Sequence, residues 1–350
     1  MKIISYKDVS MESIEENELT EEQFIQLKKQ FYEKPTLKEI KNEVANLLCQ
    51  NGTRMDKIER KYFRELMSKT KIYYNKWTIE DCFEHKPLLD RFYSKTLKNP
   101  KVFTSERLID NIETAFRLGG KGVASKVANF PIATVDEIFK RYNVNNNYYD
   151  MSCGWGARLT SSLKNKVNYY GTDPNYLLVE KLKEFVNDWE QITKTKPKVD
   201  IKCQGSEELV EEWKNKMGLC FTSPPYFYLE DYKIGNQSYK KGTTYQEWKD
   251  NYLRPTIMNC YKYLINEGYL VINIKDFDKF ELEKDTRKIC EECGFVYVEN
   301  FELNNISRVK STGDFNDTNE NIMVFMKCGF EHLHKPYFKP QQLNLFDELW

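Results

Sequence analysis

The spacing of apolar residues changes character once along the chain, near residue 145. Before that point the pattern is helical: residues 37–48 place apolar side chains at positions 37, 40, 44, 47 and 48, on one face of a helix. Beyond it, short strand-like runs alternate with helical patterns. The chain is therefore predicted to begin with a mainly helical region and to continue as a three-layer α/β domain.

Seven strands are predicted in the second part of the chain. They cover residues 147–151, 168–173, 199–203, 219–223, 268–274, 295–303 and 321–327. Helical patterns separate the first six strands, at residues 156–165, 175–190, 206–216, 245–264 and 281–293. Such alternation indicates right-handed βαβ crossovers and a mostly parallel sheet covered on both faces. The last two strands follow each other without a helix, so we expect them to pair antiparallel at one edge.

The chain divides into three predicted parts. Residues 1–118 form the helical N-terminal region, residues 119–330 contain the sheet, and residues 331–350 are a C-terminal tail.

The charges of the chain balance, since 53 Lys and Arg face 53 Asp and Glu and leave a formal net charge of zero. A uniformly cationic coat for nucleic acid is thereby excluded. No run approaches the roughly 18 apolar residues that a membrane helix needs. The acidic start is unlike a signal peptide and the nine cysteines are scattered, so we expect free thiols and a cytoplasmic location.

Candidate ligand chemistry begins where the first strand ends. Asp150 and Ser152 lead into Gly154 and Gly156, two glycines that allow the backbone to turn sharply and approach a ligand before a helix starts. The second strand ends at Asp173, where a carboxylate typically accepts hydrogen bonds from ribose hydroxyls. The alternative is a tight turn in which Asp173 caps a helix. The absence of a third glycine argues against a dinucleotide and for an adenosine cofactor without a pyrophosphate.

A second group of candidate residues follows the fourth strand. There the prolines Pro224 and Pro225 force the chain out of the sheet at its carboxyl edge, near the glycine turn. The stiff loop fixes Ser223, the Pro224 carbonyl and the Tyr226 ring. Two oxygens and an aromatic face suit an exocyclic amine on a flat ring. In the alternative, the prolines merely end a strand.

The sequence Thr-Ser-Pro-Pro-Tyr at residues 222–226 resembles the catalytic loop of the S-adenosylmethionine-dependent amino-methyltransferases of nucleic acids. The resemblance extends over about residues 119–328 and implies a Rossmann-like methyltransferase fold. Residues 150–156 resemble the family's cofactor motif, with Met151 and Ser152 replacing its Pro and Phe. A serine at the first position of the catalytic loop favours N4 of cytosine over N6 of adenine.

Further cofactor contacts follow from the same resemblance. Asp173 matches the ribose-binding acid, and Ser206 lies in the segment where the family meets the adenine edge. Residues 126–131, with Phe130 and Pro131, resemble the segment that closes over the methionine end of the cofactor. Residues 321–327 resemble the family's seventh strand.

The resemblance implies direct methyl transfer. Ser223 and the Pro224 carbonyl would accept the amine hydrogens and make the nitrogen more nucleophilic, while positioning supplies much of the rate. A base in a duplex would have to flip out of the stack to meet Tyr226. No Pro-Cys nucleophile of a carbon-5 methyltransferase is present.

Residues 51–101 are the candidate for target recognition. This segment carries 13 Lys and Arg against 7 Asp and Glu, interleaved with aromatic residues that could stack on bases. Those aromatic residues are Tyr62, Phe63, Tyr73, Tyr74, Trp77, Phe83, Phe92 and Tyr93. The alternative is a pair of amphipathic helices whose rings are core. The loop at 228–246 could close over a flipped base, or be an ordinary solvated loop.

The C-terminal tail contains a candidate partner site. Gln342, Leu343, Leu345 and Phe346 resemble the peptide by which bacterial and phage proteins bind the replication sliding clamp. Docking of the tail on its own domain is the alternative.

Two other activities stay open beside DNA methylation: methylation of RNA bases or protein amides, and a DNA-tethered subunit that binds the cofactor without catalysis. Intact Ser223 and Tyr226 count against the second. Cys290 and Cys293 form a lone pair more typical of packed thiols than of zinc, and we expect no metal.

Overall fold

The computed structural model describes residues 18–49, 55–97, 108–118, 124, 127, 129–276, 278–302 and 321–328. Eight α-helices precede the large sheet in this part of the chain. They are α1 (Glu21–Phe31), α2 (Leu37–Leu48), α3 (Asp56–Ile58), α4 (Arg64–Lys69), α5 (Ile79–Glu84), α6 (Lys86–Leu97), α7 (Leu108–Leu118) and α8 (Ile132–Tyr142). A π-helical stretch, Glu59–Phe63, joins α3 to α4.

Capping residues define where several of these helices begin. Thr20, Thr36 and Thr78 each accept a hydrogen bond from a backbone N–H in the first turn, and a side chain in that turn bonds back to the threonine N–H. These reciprocal bonds satisfy donors that a helix start otherwise leaves unpaired. The predicted helix at 37–48 is confirmed, with Ile40, Val44 and Leu47 on its buried face.

The strands alternate with helices in the second part of the chain, as predicted. Strand β1 (Lys71–Ile72) lies in the N-terminal region. The strands of the second part are β2 (Asn147–Asp150), β3 (Asn168–Thr172), β4 (Val199–Lys202), β5 (Met217–Thr222), β6 (Glu230–Asp231), β7 (Leu264–Ile274), β8 (Phe295–Glu302) and β9 (Asn321–Lys327). The helices here are α9 (Ala157–Asn165), α10 (Tyr176–Thr193), α11 (Tyr245–Trp248), α12 (Arg254–Tyr263) and α13 (Leu282–Glu292). A second π-helical stretch, Lys249–Leu253, lies between α11 and α12.

Seven strands form one sheet in the order β4-β3-β2-β5-β7-β9-β8, and β1 and β6 form a separate two-stranded ribbon. Strands β4, β3, β2, β5 and β7 run parallel to one another. Strand β9 is antiparallel to both β7 and β8. The mostly parallel sheet with antiparallel pairing at one edge is confirmed, and β9 lies one position inside that edge.

The predicted helix at 206–216 is wrong, because only the short 3-10 turn Glu211–Trp213 forms there. The backbone N–H of Val210 donates to the Tyr263 hydroxyl at 2.7 Å, a bond that an α-helix would direct to Ser206. The buried Trp213 ring packs on Tyr149 and Tyr170, and its indole N–H donates to Asp200 at 3.0 Å. Tertiary packing overrides the helical pattern here.

Hydrophobic clusters cover both faces of the sheet. One cluster joins α2, α3 and the Glu59–Phe63 stretch to β2, α9 and α10, and the second lies under α12 and α13. A third cluster packs α1, α5, α6 and α7 together. The division at residue 118 stays a prediction, but the first cluster crosses it.

Candidate active site

The glycine turn connects β2 to α9. Gly154 and Gly156 have φ angles of 54° and 76°, a left-handed region that side chains rarely adopt. A Cβ atom on Gly156 would lie 2.8 Å from two atoms of the Phe63 ring. The turn therefore requires glycine for its conformation and for the close packing of the N-terminal region against it.

Asp150 anchors this turn from within the core, where it is 0% exposed. Its Oδ2 accepts hydrogen bonds from Arg158 Nε at 2.9 Å and from the Tyr169 hydroxyl at 3.0 Å. Its Oδ1 accepts from the Ser152 N–H at 3.2 Å and from Thr222 Oγ1 at 3.4 Å. These bonds tie the turn to the end of β5, and the expected contact of Asp150 with a cofactor stays a prediction.

Asp173 lies at the end of β3, directly beside the glycine turn. One carboxylate oxygen accepts the Asn175 N–H at 2.9 Å, and the Gly154 N–H also donates to this carboxylate. Burial raises the pKa of Asp173 to about 7, although these two backbone donors lower it. The Asn175 side chain, not Asp173, accepts the N–H of Leu178 at the start of α10. The helix-cap alternative for Asp173 is therefore wrong.

Four hydroxyl groups are linked by hydrogen bonds beside the turn. The Tyr252 hydroxyl forms hydrogen bonds with the side chains of Ser152 and Ser206, and burial raises its pKa. Ser206 Oγ also lies 2.9 Å from Thr256 Oγ1. The expected residues Ser152 and Ser206 are thus brought together by Tyr252, which the Lys249–Leu253 stretch supplies.

The segment before α8 lies against the same turn. Asn129 Nδ2 donates to the Trp155 carbonyl at 3.1 Å, and the Phe130 ring packs edge-on against Phe221 with centroids 5.4 Å apart. Pro131 precedes the first turn of α8. Phe130 and Pro131 therefore lie near the cofactor turn and the end of β5.

The Ser-Pro-Pro-Tyr loop leaves the sheet where β5 ends. Asn273, buried on the adjacent strand β7, donates its amide to Ser223 Oγ at 3.3 Å. Pro224 is buried, whereas Ser223, Pro225 and Tyr226 are half-buried. The four residues expected to carry catalysis thus lie together at the carboxyl edge of the sheet, beside the glycine turn.

An aromatic cluster fixes the end of this loop. Phe227 has a φ angle of 47°, which is strained for a bulky residue. Its ring packs against Tyr245, Trp248 and Phe280, with centroids 5.4–5.7 Å apart. This packing holds the backbone conformation that presents Tyr226.

The N-terminal region also holds the loop through a backbone ribbon. Lys71 and Ile72 pair antiparallel with Asp231 and Glu230. The Tyr73 N–H extends the ribbon by donating to the Leu229 carbonyl at 2.8 Å. The Ser-Pro-Pro-Tyr loop is therefore supported by a strand from outside the predicted catalytic domain.

The loop that follows the catalytic motif bends back over the cofactor side of the site. Its Tyr232 ring lies 6.0 Å from the Trp155 ring of the glycine turn, and Lys241 forms an ion pair with Glu207 at 2.7 Å. These contacts connect the loop with the segment after β4. Closure over a flipped base stays a prediction.

Most rings of the basic segment are core residues. Tyr62, Phe63, Phe83, Phe92 and Tyr93 are buried, and Trp77 is half-buried. Several of its cations are paired within the protein, including Lys61 with Asp188 and Arg64 with Glu113. The alternative, in which the rings are core, holds for these five buried residues, since packing uses their faces. Target recognition by the segment stays a prediction. Tyr73 and Tyr74 remain 60% and 54% exposed.

Some expectations fall on residues outside the described ranges. Gln342, Leu343, Leu345 and Phe346 of the tail belong there, as does Lys126. Within the described ranges, no cluster of three or more His, Cys, Asp and Glu residues could hold a metal ion. The helices in those ranges include none with the length and apolar character to cross a membrane.

Sequence reasoning did not single out Asn273, Tyr252, Arg158 or Asn129. Asn273 is a polar residue inside the apolar strand pattern of residues 268–274, a signal that could have been followed. Arg158 lies two residues after Gly156, and no sequence pattern indicates its ion pair with Asp150. Tyr252 carried no local signal.

Comparison with known proteins gives one family match. The family model described as DNA methylase matches residues 217–348, which include the catalytic loop. No curated protein matches the chain.

Solved structures show similarity at low identity. A TehB-like S-adenosylmethionine-dependent methyltransferase from Corynebacterium glutamicum is 14% identical, with 56% of this chain and 86% of that chain covered and a TM-score of 0.38. The N-methyltransferase NodS from Bradyrhizobium japonicum is 12% identical, with coverages of 57% and 93% and a TM-score of 0.37. A methyltransferase from Methanosarcina mazei is 11% identical, with coverages of 58% and 99% and a TM-score of 0.39.

The strand order of the sheet confirms the predicted Rossmann-like fold. The resemblance expected from the Ser-Pro-Pro-Tyr loop is also confirmed, because residues 217–348 match the DNA methylase family.

Proposed function

We propose that this protein transfers a methyl group from S-adenosylmethionine to an exocyclic amine of a DNA base, with N4 of cytosine favoured and N6 of adenine as the alternative. The observation that carries the proposal is the position of Ser223. Ser223 leaves β5 beside the glycine turn, is bonded by Asn273, and lies in a segment that matches the DNA methylase family.

The residues around the glycine turn fit this cofactor. The positive φ angles of Gly154 and Gly156 turn the chain at the start of α9, and the backbone N–H groups of a helix start favour a ligand that carries acceptor oxygens. The Asp173 carboxylate beside them has acceptor capacity for ribose hydroxyls. Ser152, Ser206 and Tyr252 form a polar wall, and Phe130 and Pro131 lie near β5 for the methionine end. When bound, the cofactor supplies an electrophilic methyl group on a sulfonium sulfur.

Ser223 and Pro224 prepare the amine. A serine oxygen has two acceptor sites, and the Asn273 amide occupies one of them. The other site and the Pro224 carbonyl accept the two amine hydrogens, which draws the nitrogen lone pair out of conjugation with the ring. Asn273 is therefore a positioning residue, while Tyr226 receives the face of a base that has left the stack.

The reaction is tested by incubating the protein with methyl-labelled S-adenosylmethionine and DNA, RNA or a protein mixture. We expect label in DNA, and about a hundredfold lower rate for Ser223→Ala, because the amine would lose an acceptor that positions it. Ser68→Ala is the matched control, since within the described ranges the Ser68 hydroxyl donates to the Glu65 carbonyl of its own helix. Label confined to RNA or protein, or a Ser223→Ala rate equal to that of wild type, would contradict the proposal.

A replication sliding clamp is a proposed partner through Gln342, Leu343, Leu345 and Phe346. Support comes from the sequence of these residues. Deleting residues 341–350 should abolish binding to a purified clamp and leave methylation of short duplexes unchanged. Clamp binding that survives the deletion would refute this partner.

A further inference from the structure

A cavity of about 480 Å³ opens beside the catalytic loop, and the proposed reaction does not use it. Phe227, Tyr228, Tyr239, Lys240, Gly242 and Thr243 line this cavity. Three aromatic residues and one lysine therefore line an open space of the size that accepts a small planar ligand.

The walls of the cavity are held in place by named contacts. Gln237, which is buried, donates to Asp231 at 2.9 Å and to the Tyr239 hydroxyl at 3.3 Å. The Tyr228 hydroxyl donates to Asp278 at 3.1 Å, and the Tyr228 ring lies 4.7 Å from that of Tyr73. The cavity is thus a built feature of the fold.

Charge at the cavity is concentrated on Lys240. Its neighbours Lys233 and Lys241 are paired with Asp231 and Glu207. In the described ranges Lys240 has no ion pair, and its ammonium donates to the Ile234 carbonyl at 2.9 Å. An ammonium group has three donors, so two remain for an anion such as a phosphate.

The cavity is close to the reacting centre along the chain. Phe227 is four residues from Ser223, a separation that an extended chain spans in at most about 14 Å. Nucleotides of one DNA strand rise about 3.4 Å each, so a nucleotide in the cavity would lie within about four positions of the methylated base.

We infer that this cavity is a second nucleotide site, which takes one flanking base of the DNA between Tyr228 and Tyr239 and its phosphate on Lys240. The inference rests on the proposed function and names a substrate contact outside the catalytic pocket. Aromatic stacking accepts any base, while the ammonium group attracts the backbone. The site would position the strand and would contribute little to the choice of the methylated base.

Methylation of oligonucleotides that carry a single abasic position tests this site. At one flanking position, base removal should lower kcat/KM of wild type by roughly 5- to 150-fold, the range expected for one stacked base. In the Tyr239→Ala variant, removal of the same base should change kcat/KM little, because the ring on which the base stacks is absent. Tyr32→Ala, which alters another partly exposed tyrosine, should keep the wild-type pattern.

Lys240→Ala provides a second measurement. This variant should reduce the slope of log affinity for DNA against log salt concentration by about one, the value for one phosphate contact. Lys233→Ala should leave the slope unchanged, because Lys233 is paired with Asp231. A photoreactive base at the sensitive position should also crosslink wild type at Tyr228 or Tyr239, without any substitution.

These experiments distinguish failure of the proposed function from failure of the second nucleotide site. Absence of methyl transfer to intact DNA would overturn the proposed function itself. Methyl transfer without any flanking position whose effect depends on Tyr239, or crosslinks outside the cavity, would overturn the second nucleotide site alone.

Discussion

Asp173 is the residue whose chemistry depends most on its surroundings. Its carboxyl pKa is raised to about 7 by burial, so the folded protein holds it largely protonated at pH 6 and ionised at pH 8. A carboxylate that accepts ribose hydroxyls binds best when ionised. We therefore predict that the cofactor dissociation constant rises as the pH falls below about 7, by up to tenfold per pH unit.

Calorimetric titration of S-adenosylmethionine between pH 6 and 8 measures this effect. Asp173→Asn keeps an oxygen acceptor but cannot titrate, so its affinity should be weaker and independent of pH. The same pKa shift also affects stability, since a raised carboxyl pKa disfavours the folded state once the pH passes the unfolded value of 3.8. Equal pH dependence in wild type and Asp173→Asn would contradict the assignment.

A second prediction at the scale of one residue concerns Gly156. Gly156→Ala should lower the free energy of unfolding by about 2–4 kcal/mol, because alanine is strained at a φ angle of 76° and its Cβ would meet the Phe63 ring. Urea denaturation measures the loss. Gly235→Ala is the control, with open space around the added atom and no positive φ, and it should be near neutral. Similar losses for both variants would disprove this reading of the turn.

At the scale of elements, the ribbon of β1 and β6 supports the catalytic loop. Tyr73→Pro removes the N–H that donates to Leu229, whereas Tyr73→Ala keeps it. We predict faster proteolytic cleavage within residues 228–243 and slower methyl transfer in the proline variant than in the alanine variant. Identical cleavage patterns in the two variants would show that this hydrogen bond does not hold the loop.

The sequence pattern predicted a helix or strand correctly where the local preference of the segment agrees with its tertiary packing. All seven predicted strands form, since runs such as residues 268–274 are mostly apolar and bounded by clear breaks. The helix at 206–216 failed because Tyr263 and Trp213 draw its backbone into other contacts. The ribbon was not predicted, because each of its strands has two residues and its pairing joins positions about 160 residues apart.

The candidate site shows the same limit. The sequence located Ser223, Tyr226, Asp173 and the glycines, because their motifs are local and lie at strand ends. Asn273 and Tyr252 reach the site through sheet order and a π-helical stretch, which no local motif encodes. In the basic segment, composition could not distinguish exposed rings such as Tyr73 from buried ones such as Tyr62.

At the scale of the whole molecule, the N-terminal region and the sheet share a core. Phe63 packs against Gly156, and Tyr62 packs on Phe185 and bonds to Asp188 of α10. A fragment of residues 119–350 would expose the apolar surface that these contacts cover. We predict that it aggregates or lacks a cooperative thermal transition, whereas the full chain unfolds cooperatively. A soluble fragment with a sharp transition would establish an independent domain.

The balanced charge of the molecule fits local contacts with DNA. Many cations of the described ranges are neutralised within the fold, as Lys61 and Arg64 are, and the exposed Lys240 is not. We expect modest nonspecific affinity and binding concentrated near the catalytic loop.

The most direct measurement is mass spectrometry of nucleosides from unmodified DNA treated with the protein and S-adenosylmethionine. The proposed function predicts N4-methylcytosine, and its loss in the Ser223→Ala, Tyr226→Ala double variant. N6-methyladenine would establish an amino-methyltransferase with the other base preference. DNA without any N-methylated base, or a product that survives the double variant, would contradict the central claim.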